Sequence, residues 1–154
     1  MGRVRRLGRT PQPQEAAMHA QQIIPTHPQA GGLANAALIA CIEECYDCAQ
    51  TCTACADACL GEEMVAKLTQ CIRSCLDCAD VCAATGALAT RRTGSNQMLV
   101  GQMIELCEAA CRLCAEECER HAAHMEHCRI CAEACRMCEH ACAQARQENF
   151  PIQH

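Results

Sequence analysis

The stretch CIEECYDCAQTCTACADAC, residues 41–59, contains six cysteines separated by steps of only three or four residues. Such steps place side chains on one face of an α-helix, because the helix repeats every 3.6 residues. The inward face of a helix in a bundle normally carries Leu and Ile. The stretch therefore predicts a long helix whose inward stripe consists of thiols.

The same spacing recurs in three further segments, and all nineteen cysteines of the 154-residue chain follow it. The complete set is Cys41, Cys45, Cys48, Cys52, Cys55, Cys59, Cys71, Cys75, Cys78, Cys82, Cys107, Cys111, Cys114, Cys118, Cys128, Cys131, Cys135, Cys138 and Cys142. Four long helices with short connections predict an all-α, antiparallel up-down-up-down bundle with a Cys-lined core.

Breaks in the pattern predict where these helices begin and end. The predicted helices span residues 33–60, 62–90, 97–121 and 124–147. Gly61 ends the first helix as a C-cap, and Ser95 or Asn96 can cap the third. The connection between the third and fourth predicted helices contains no Gly or Pro. The cysteine spacing alone therefore also fits one continuous helix over these two segments.

The chain divides into three parts. Residues 1–32 are an N-terminal extension, in which 1–14 are expected to be disordered and 15–24 to form a short helix that stops at Pro25. Residues 33–147 are expected to form the four-helix bundle domain, and residues 148–154 a C-terminal tail.

Tight turns between antiparallel helices would bring particular cysteines together. The expected pairs are Cys52 with Cys71, Cys48 with Cys75, Cys45 with Cys78, Cys41 with Cys82, Cys118 with Cys128, Cys111 with Cys135, and Cys107 with Cys138. The result is one sulfur-lined tube with unlike ends. The sealed end is formed by Leu38, Thr85, Val100, Ile104 and Ala145, and the histidine end by Met64, His121, His124 and Met125.

Nine of the cysteine pairs have the form Cys-x3-Cys. Their Cβ atoms are about 5–6 Å apart in a helix, whereas a disulfide needs about 3.5–4.5 Å. A metal ion bound by two thiolates places the sulfurs about 4.5 Å apart, which rotamers at i and i+4 can supply. Cu(I) is soft and prefers thiolates. Many Cu(I) ions per chain are therefore the expected cargo.

The histidines are interpreted by their place on the helices. His121 and His124 lie on the stripe, so they are candidate copper ligands or relays in addition to the nineteen cysteines. Met64 and Met125 are interpreted as packing residues. The remaining histidines fall off the stripe or in the tails and are interpreted as surface residues; they are His19, His27, His127, His140 and His154.

Composition and charge argue against other classes of function. The net charge of −5 argues against a nucleic-acid partner. No stretch approaches the roughly 18 apolar residues of a membrane span, and Arg5–Arg6 precedes no apolar signal region. The expected location is the cytoplasm, where thiols stay reduced and a cysteine array indicates metal binding. No nucleophile–base pair is apparent, so no enzyme activity is expected.

The nine Cys-x3-Cys pairs on four predicted helices resemble the bacterial copper storage proteins, whose bundle lumen is lined by such pairs. The resemblance covers about residues 33–147 and is greater to the cytosolic branch, because no signal peptide is expected and one end carries histidines. It implies cytosolic storage and detoxification of Cu(I) without catalysis, and a homotetramer. A copper chaperone or a small thiol is the expected donor.

Three other functions also use clustered cysteines. A zinc or cadmium thiolate buffer, similar to metallothionein in function, would use the same thiols. A redox enzyme would need one exposed cysteine of low pKa, and no single pair stands out in the sequence. Iron–sulfur proteins use Cys-x2-Cys runs on loops, whereas here that spacing is only the step between helical pairs.

The thiol count predicts the copper capacity. If each thiolate bridges two Cu(I) ions and each ion takes two thiolates, the reduced chain binds well above ten ions and approaches about nineteen. Anaerobic Cu(I) titration with a parallel thiol assay measures the ratio. A plateau at about four or five tetrahedral ions would contradict the copper prediction and favour zinc.

Overall fold

The computed structural model describes residues 19–30 and 35–150. Five helices are present in these two ranges: α1 (His19–Ile23), α2 (Ala36–Leu60), α3 (Thr69–Thr90), α4 (Gln97–Glu119) and α5 (Glu126–Asn149). The described ranges contain no strand, which confirms the predicted all-α class. The segment 1–14, predicted to be disordered, lies outside the described residues.

The four long helices form the predicted bundle. Helix α2 packs against α3 and α5, and α4 packs against the same two neighbours. Consecutive helices are therefore adjacent around a ring, as an up-down-up-down order requires. No helix of the described residues has the length and apolarity that a membrane crossing needs.

The ends of α2 follow local capping chemistry. The Asn35 side chain accepts a hydrogen bond from the backbone N–H of Leu38 at 3.0 Å, so α2 starts at Ala36, three residues after the predicted start. Gly61 ends α2 as predicted. Its φ of −83° is right-handed, so this cap does not depend on the left-handed freedom of glycine.

The predicted start of the second helix at residue 62 is wrong. Residues 61–68 form turns and a short 3₁₀ segment, Val65–Lys67, and α3 begins only at Thr69. Leu68 is 1% exposed and anchors this connector against the core. An eight-residue connector replaces the tight turn, and this shifts α3 along α2.

The connection between α4 and α5 is a real break. Residues 120–125 are mostly turns, so the alternative of one continuous helix is excluded. Asn96 is the N-cap residue of α4, but its side chain makes no capping hydrogen bond. The predicted boundaries of both helices lie within two residues of those observed.

Residues of the N-terminal extension pack on the bundle. Ile24 is buried in the core, and Gln21 donates to Glu43 at 3.1 Å. The Gln29 side chain accepts from the backbone N–H of Gly94, whose φ is +74°. The predicted short helix is confirmed over His19–Ile23, and residues 15–18 lie outside the described ranges.

The sealed end is closed by apolar side chains, as predicted. Leu38, Ile104 and Ala145 are 0% exposed, and Thr85 is 1% exposed. Val100 is half-buried against the same core. No large aromatic residue is fully buried in the described core, so these few aliphatic side chains supply much of its dispersion energy.

Substitution of Leu38 tests the stabilising role of the sealed end. Leu38→Ala is expected to lower the free energy of unfolding of the metal-free protein by about 2–5 kcal/mol, because it leaves a cavity. Leu76→Ala is the matched control, since Leu76 is 44% exposed on α3. Denaturant unfolding under reducing conditions measures both. Equal losses for the two variants would contradict this account of the core.

Candidate metal centre

Helix packing hides every thiol from solvent. All nineteen cysteines are free and buried, and the most exposed, Cys55, shows only 2% of its surface. The four stripes therefore face inward as predicted. The histidine end is also covered, because Leu68 is buried there and Met125 packs on the core.

The sulfur atoms lie close enough to share metal ions. Thiol–thiol hydrogen-bond contacts of 3.5–4.0 Å connect sixteen of the nineteen cysteines into one continuous network along the bundle axis. A metal–sulfur bond of about 2.3 Å places sulfurs about 3.8 Å apart in tetrahedral, about 4.0 Å in trigonal and about 4.5 Å in linear coordination. The sulfur–sulfur distances without metal already suit tetrahedral and trigonal coordination. For linear coordination the two sulfurs must move apart by at most about 1 Å.

The network links different helices from those expected. Contacts join α2 to α5, as in Cys41–Cys142 at 3.5 Å, and α3 to α4, as in Cys82–Cys107 at 3.6 Å. Among the described residues, no such contact joins α2 to α3 or α4 to α5. Small residues occupy the α2–α3 face, where Ala49 and Ala79 line one groove.

The four expected pairs between α2 and α3 are not among the sulfur contacts of the described chain. Cys48 was expected beside Cys75, but it shares one group with Cys78 and another with Cys82. This offset follows from the eight-residue connector. The register of the hairpin formed by α4 and α5 is predicted better, as the shared group of Cys107 and Cys138 shows. The other two pairs of that hairpin make no thiol–thiol contact in the described range.

Groups of four thiols overlap along the axis. In each group all four sulfurs lie within 4.8 Å of one another. The groups are Cys45–Cys107–Cys138–Cys142, Cys48–Cys82–Cys111–Cys138, Cys48–Cys52–Cys78–Cys135 and Cys52–Cys114–Cys131–Cys135. Consecutive groups share Cys138, then Cys48, then Cys52 and Cys135. Metal ions in adjacent groups would therefore be bridged by common sulfurs.

The histidine end contains a mixed group that the sequence prediction missed. The Nδ1 atom of His127 lies 3.5 Å from the sulfurs of Cys55 and Cys128 and 3.9 Å from that of Cys59. These four residues form a further candidate metal site. The interpretation of His127 as a surface residue is wrong. His127 lies four residues before Cys131, so it shares the inward flank of α5 with that cysteine. This spacing could have identified His127 from the sequence.

The two predicted histidines lie at the same end but are placed differently. His121 Nε2 is 3.3 Å from Glu117 on the same helical turn, and His124 is exposed. Neither makes a thiol hydrogen bond in the described structure. Met64 is 50% exposed, and Met125 is half-buried against the core. The roles of His121 and His124 as copper ligands or relays stay predictions.

Burial and mutual contact set the protonation of the thiols. Burial raises the pKa of Cys59 and of Cys128 above the ordinary value, because the charged thiolate is poorly solvated. At the sealed end a hydrogen bond with Cys142 lowers the pKa of Cys41 to about 5. A donor thiol keeps its proton while its acceptor is stabilised as thiolate, so only part of the array can ionise without metal.

Comparison with known proteins identifies the arrangement. The family model described as "Copper storage protein" matches residues 34–147. The chain belongs to the copper storage protein family. One similar solved structure is the copper storage protein Ccsp from Streptomyces lividans loaded with 10 copper equivalents. The two chains are 50% identical and superimpose with a TM-score of 0.79. The match covers 82% of this chain and 96% of that chain.

A second solved structure agrees. The five-copper form of a cytosolic copper storage protein from Streptomyces lividans has 52% identity and a TM-score of 0.70, over 77% of this chain and 95% of that one. A comparison with curated proteins found no match. The resemblance inferred from the nine cysteine pairs is confirmed.

Copper loading is expected to release protons, because a metal-binding thiol must lose its proton and burial holds many of these protons in place. Filling the reduced chain in weak buffer should release roughly ten or more protons per chain, and the apparent Cu(I) affinity should fall as the pH falls. A pH-stat measures the release. Protein with alkylated thiols is the control, and loading without proton release would contradict the prediction.

Proposed function

We propose that this copper storage protein holds many Cu(I) ions as thiolate clusters inside its bundle and so stores and detoxifies copper in the cytoplasm, without catalysis. Family membership supports the cargo, and the solved relatives are loaded with copper. The ligands are the nineteen cysteines of the core. His127 joins them at the histidine end, because its Nδ1 atom faces three of the thiols.

The overlap between thiol groups is the observation that best supports this proposal. Separate tetrahedral sites each need four sulfurs of their own, yet neighbouring groups here share Cys138, Cys48 or the pair Cys52 and Cys135. Filling all the groups together therefore requires bridging thiolates. Bridged, low-coordinate thiolate clusters suit soft Cu(I), and they raise the ratio of metal to sulfur.

Copper enters, in this proposal, at the histidine end. The sealed end is covered by Leu38 and Ile104, which offer no ligand atoms. The opposite end offers His127 against thiols, with His121 and His124 further out. A copper chaperone or a small thiol would deliver the ion there, and local opening must accompany entry because the thiols are buried.

The proposed assembly is a homotetramer. Family resemblance supports it, and so does a row of exposed leucines at heptad spacing on α4. This row consists of Leu99, Leu106 and Leu113, which are 39–59% exposed. Exposed apolar side chains in one row are a feature of surfaces that associate.

A zinc or cadmium thiolate buffer is the second candidate function. The spacing of 3.5–4.0 Å within the network is close to the tetrahedral separation of about 3.8 Å. Zinc would therefore fit the metal-free geometry with little movement. The two functions differ in capacity, because a tetrahedral zinc ion takes four thiolates whereas a low-coordinate Cu(I) ion takes fewer.

Competition between the metals tests the proposed function. The reduced protein is expected to take up at most about four or five Zn²⁺ ions and then to release all of them when Cu(I) is added anaerobically, since thiolates select Cu(I). Chromophoric zinc detection and elemental analysis of the desalted protein measure the exchange. Zinc that remains bound at Cu(I) saturation would favour the buffer function and contradict copper storage.

A further inference from the structure

Glu62 joins the α2–α3 connector to the first turn of α5 across the histidine end. Its Oε1 atom lies 2.9 Å from Nε2 of His127, although the two residues are 65 positions apart. The side chains are 39% and 24% exposed, respectively. The other nitrogen of the same ring, Nδ1, faces the thiol group described above.

This contact determines which nitrogen of His127 carries the lone pair. An ionised carboxylate only accepts hydrogen bonds, so the proton of the neutral imidazole lies on Nε2. Nδ1 then presents its lone pair to Cys55, Cys59 and Cys128. With the opposite tautomer, two lone pairs would face each other between Glu62 and the ring, and an N–H would point at the thiols.

We infer that Glu62 is a positioning residue for copper capture, and this inference rests on the proposed function. It fixes the tautomer and the ring plane of His127, so that Nδ1 is ready to bind Cu(I) beside the thiols. A carboxylate that orients a metal-binding histidine in this way commonly changes metal affinity by about 10–100-fold. Glu62 is not itself a ligand, because a hard carboxylate oxygen suits Cu(I) poorly.

The pair formed by Glu117 and His121 shows what is particular to Glu62. These two residues also approach through a carboxylate oxygen and Nε2, at 3.3 Å, but they lie four residues apart on α4. In the described structure His121 makes no hydrogen bond to a thiol. Of these two carboxylate contacts, the one from Glu62 therefore acts on a ring that already faces sulfur.

Substitution of Glu62 tests the inference. Glu62→Ala is expected to weaken binding of the Cu(I) ion at the His127 group about 10-fold and to leave the total capacity unchanged. Competition with a chromophoric Cu(I) chelator at one fixed pH, without oxygen, measures both. Glu63→Ala is the matched control, because Glu63 is the exposed neighbour in the same connector. Wild-type affinity in Glu62→Ala would overturn the inference.

A double-mutant cycle separates positioning from a structural role. In a His127→Ala background, Glu62→Ala should cause no further loss, because the ring on which it acts is absent. An equal 10-fold loss in that background would overturn the inference. Glu62→Gln keeps an acceptor oxygen and should lose less than Glu62→Ala, and equal losses would show that the hydrogen bond is not what matters.

A spectroscopic measurement reports on the tautomer directly. In the metal-free protein, ¹⁵N NMR should show the His127 ring with Nε2 protonated, and Glu62→Ala should shift its signals toward a mixture of tautomers. Unchanged ring signals would overturn the inference. Failure of the wild-type protein to load copper would instead contradict the proposed function, so the two failures are distinguishable.

Discussion

Close contact between buried sulfur atoms is the constraint on which the rest of this structure depends. Sulfurs 3.5–4.0 Å apart require four helices whose inward side chains are all short, and they require a dry interior. Alanine and glycine on the flanks of the stripes meet the first requirement. At Gly86, a Cβ atom would lie only 3.0 Å from the ring of Tyr46, which crosses α3 there.

A core built in this way gains less from dispersion than a conventional one, because thiols and methyl groups are small. The largest fully buried side chains are few and include Leu38, Ile42, Leu68 and Ile104. Several of them lie near the ends of the bundle, where they close the sulfur column. The thiols are thereby left to contact one another, and metal that binds the folded state adds stability.

The two ends of the column differ in chemistry although they close the same bundle. At the sealed end, the covering side chains of Leu38 and Ile104 offer no ligand atoms. At the histidine end, Glu62 and His127 connect the solvent to three thiols through one imidazole ring. Carboxylate, imidazole and thiol groups follow one another inward at that end, so its outer face is polar and its inner face offers soft sulfur ligands.

The sequence by itself determined the class of fold and the inward face of each helix, and it favoured Cu(I) as the cargo. Helical periodicity and thiol chemistry are local properties, so nineteen cysteines in one phase were enough for these conclusions. The sealing role of Leu38 and Ile104 followed from the same periodicity. The register of α4 and α5 was predicted better than that of α2 and α3, since Cys107 and Cys138 share a group, although the other two expected pairs make no thiol–thiol contact in the described range.

Only the tertiary structure decided which thiols meet. The contacts of Cys41 with Cys142 and of Cys82 with Cys107 depend on which flanks of the helices pack together, and no local rule specifies this. The connector at residues 61–68 moved α3 by several residues, since a 3₁₀ segment and turns replaced the expected helical start. The site of His127 depends on Glu62 and on Cys55, which lie more than 60 positions away in the chain. Contacts at such separation arise from packing, whereas the pattern along a single helix reports only which way each side chain faces.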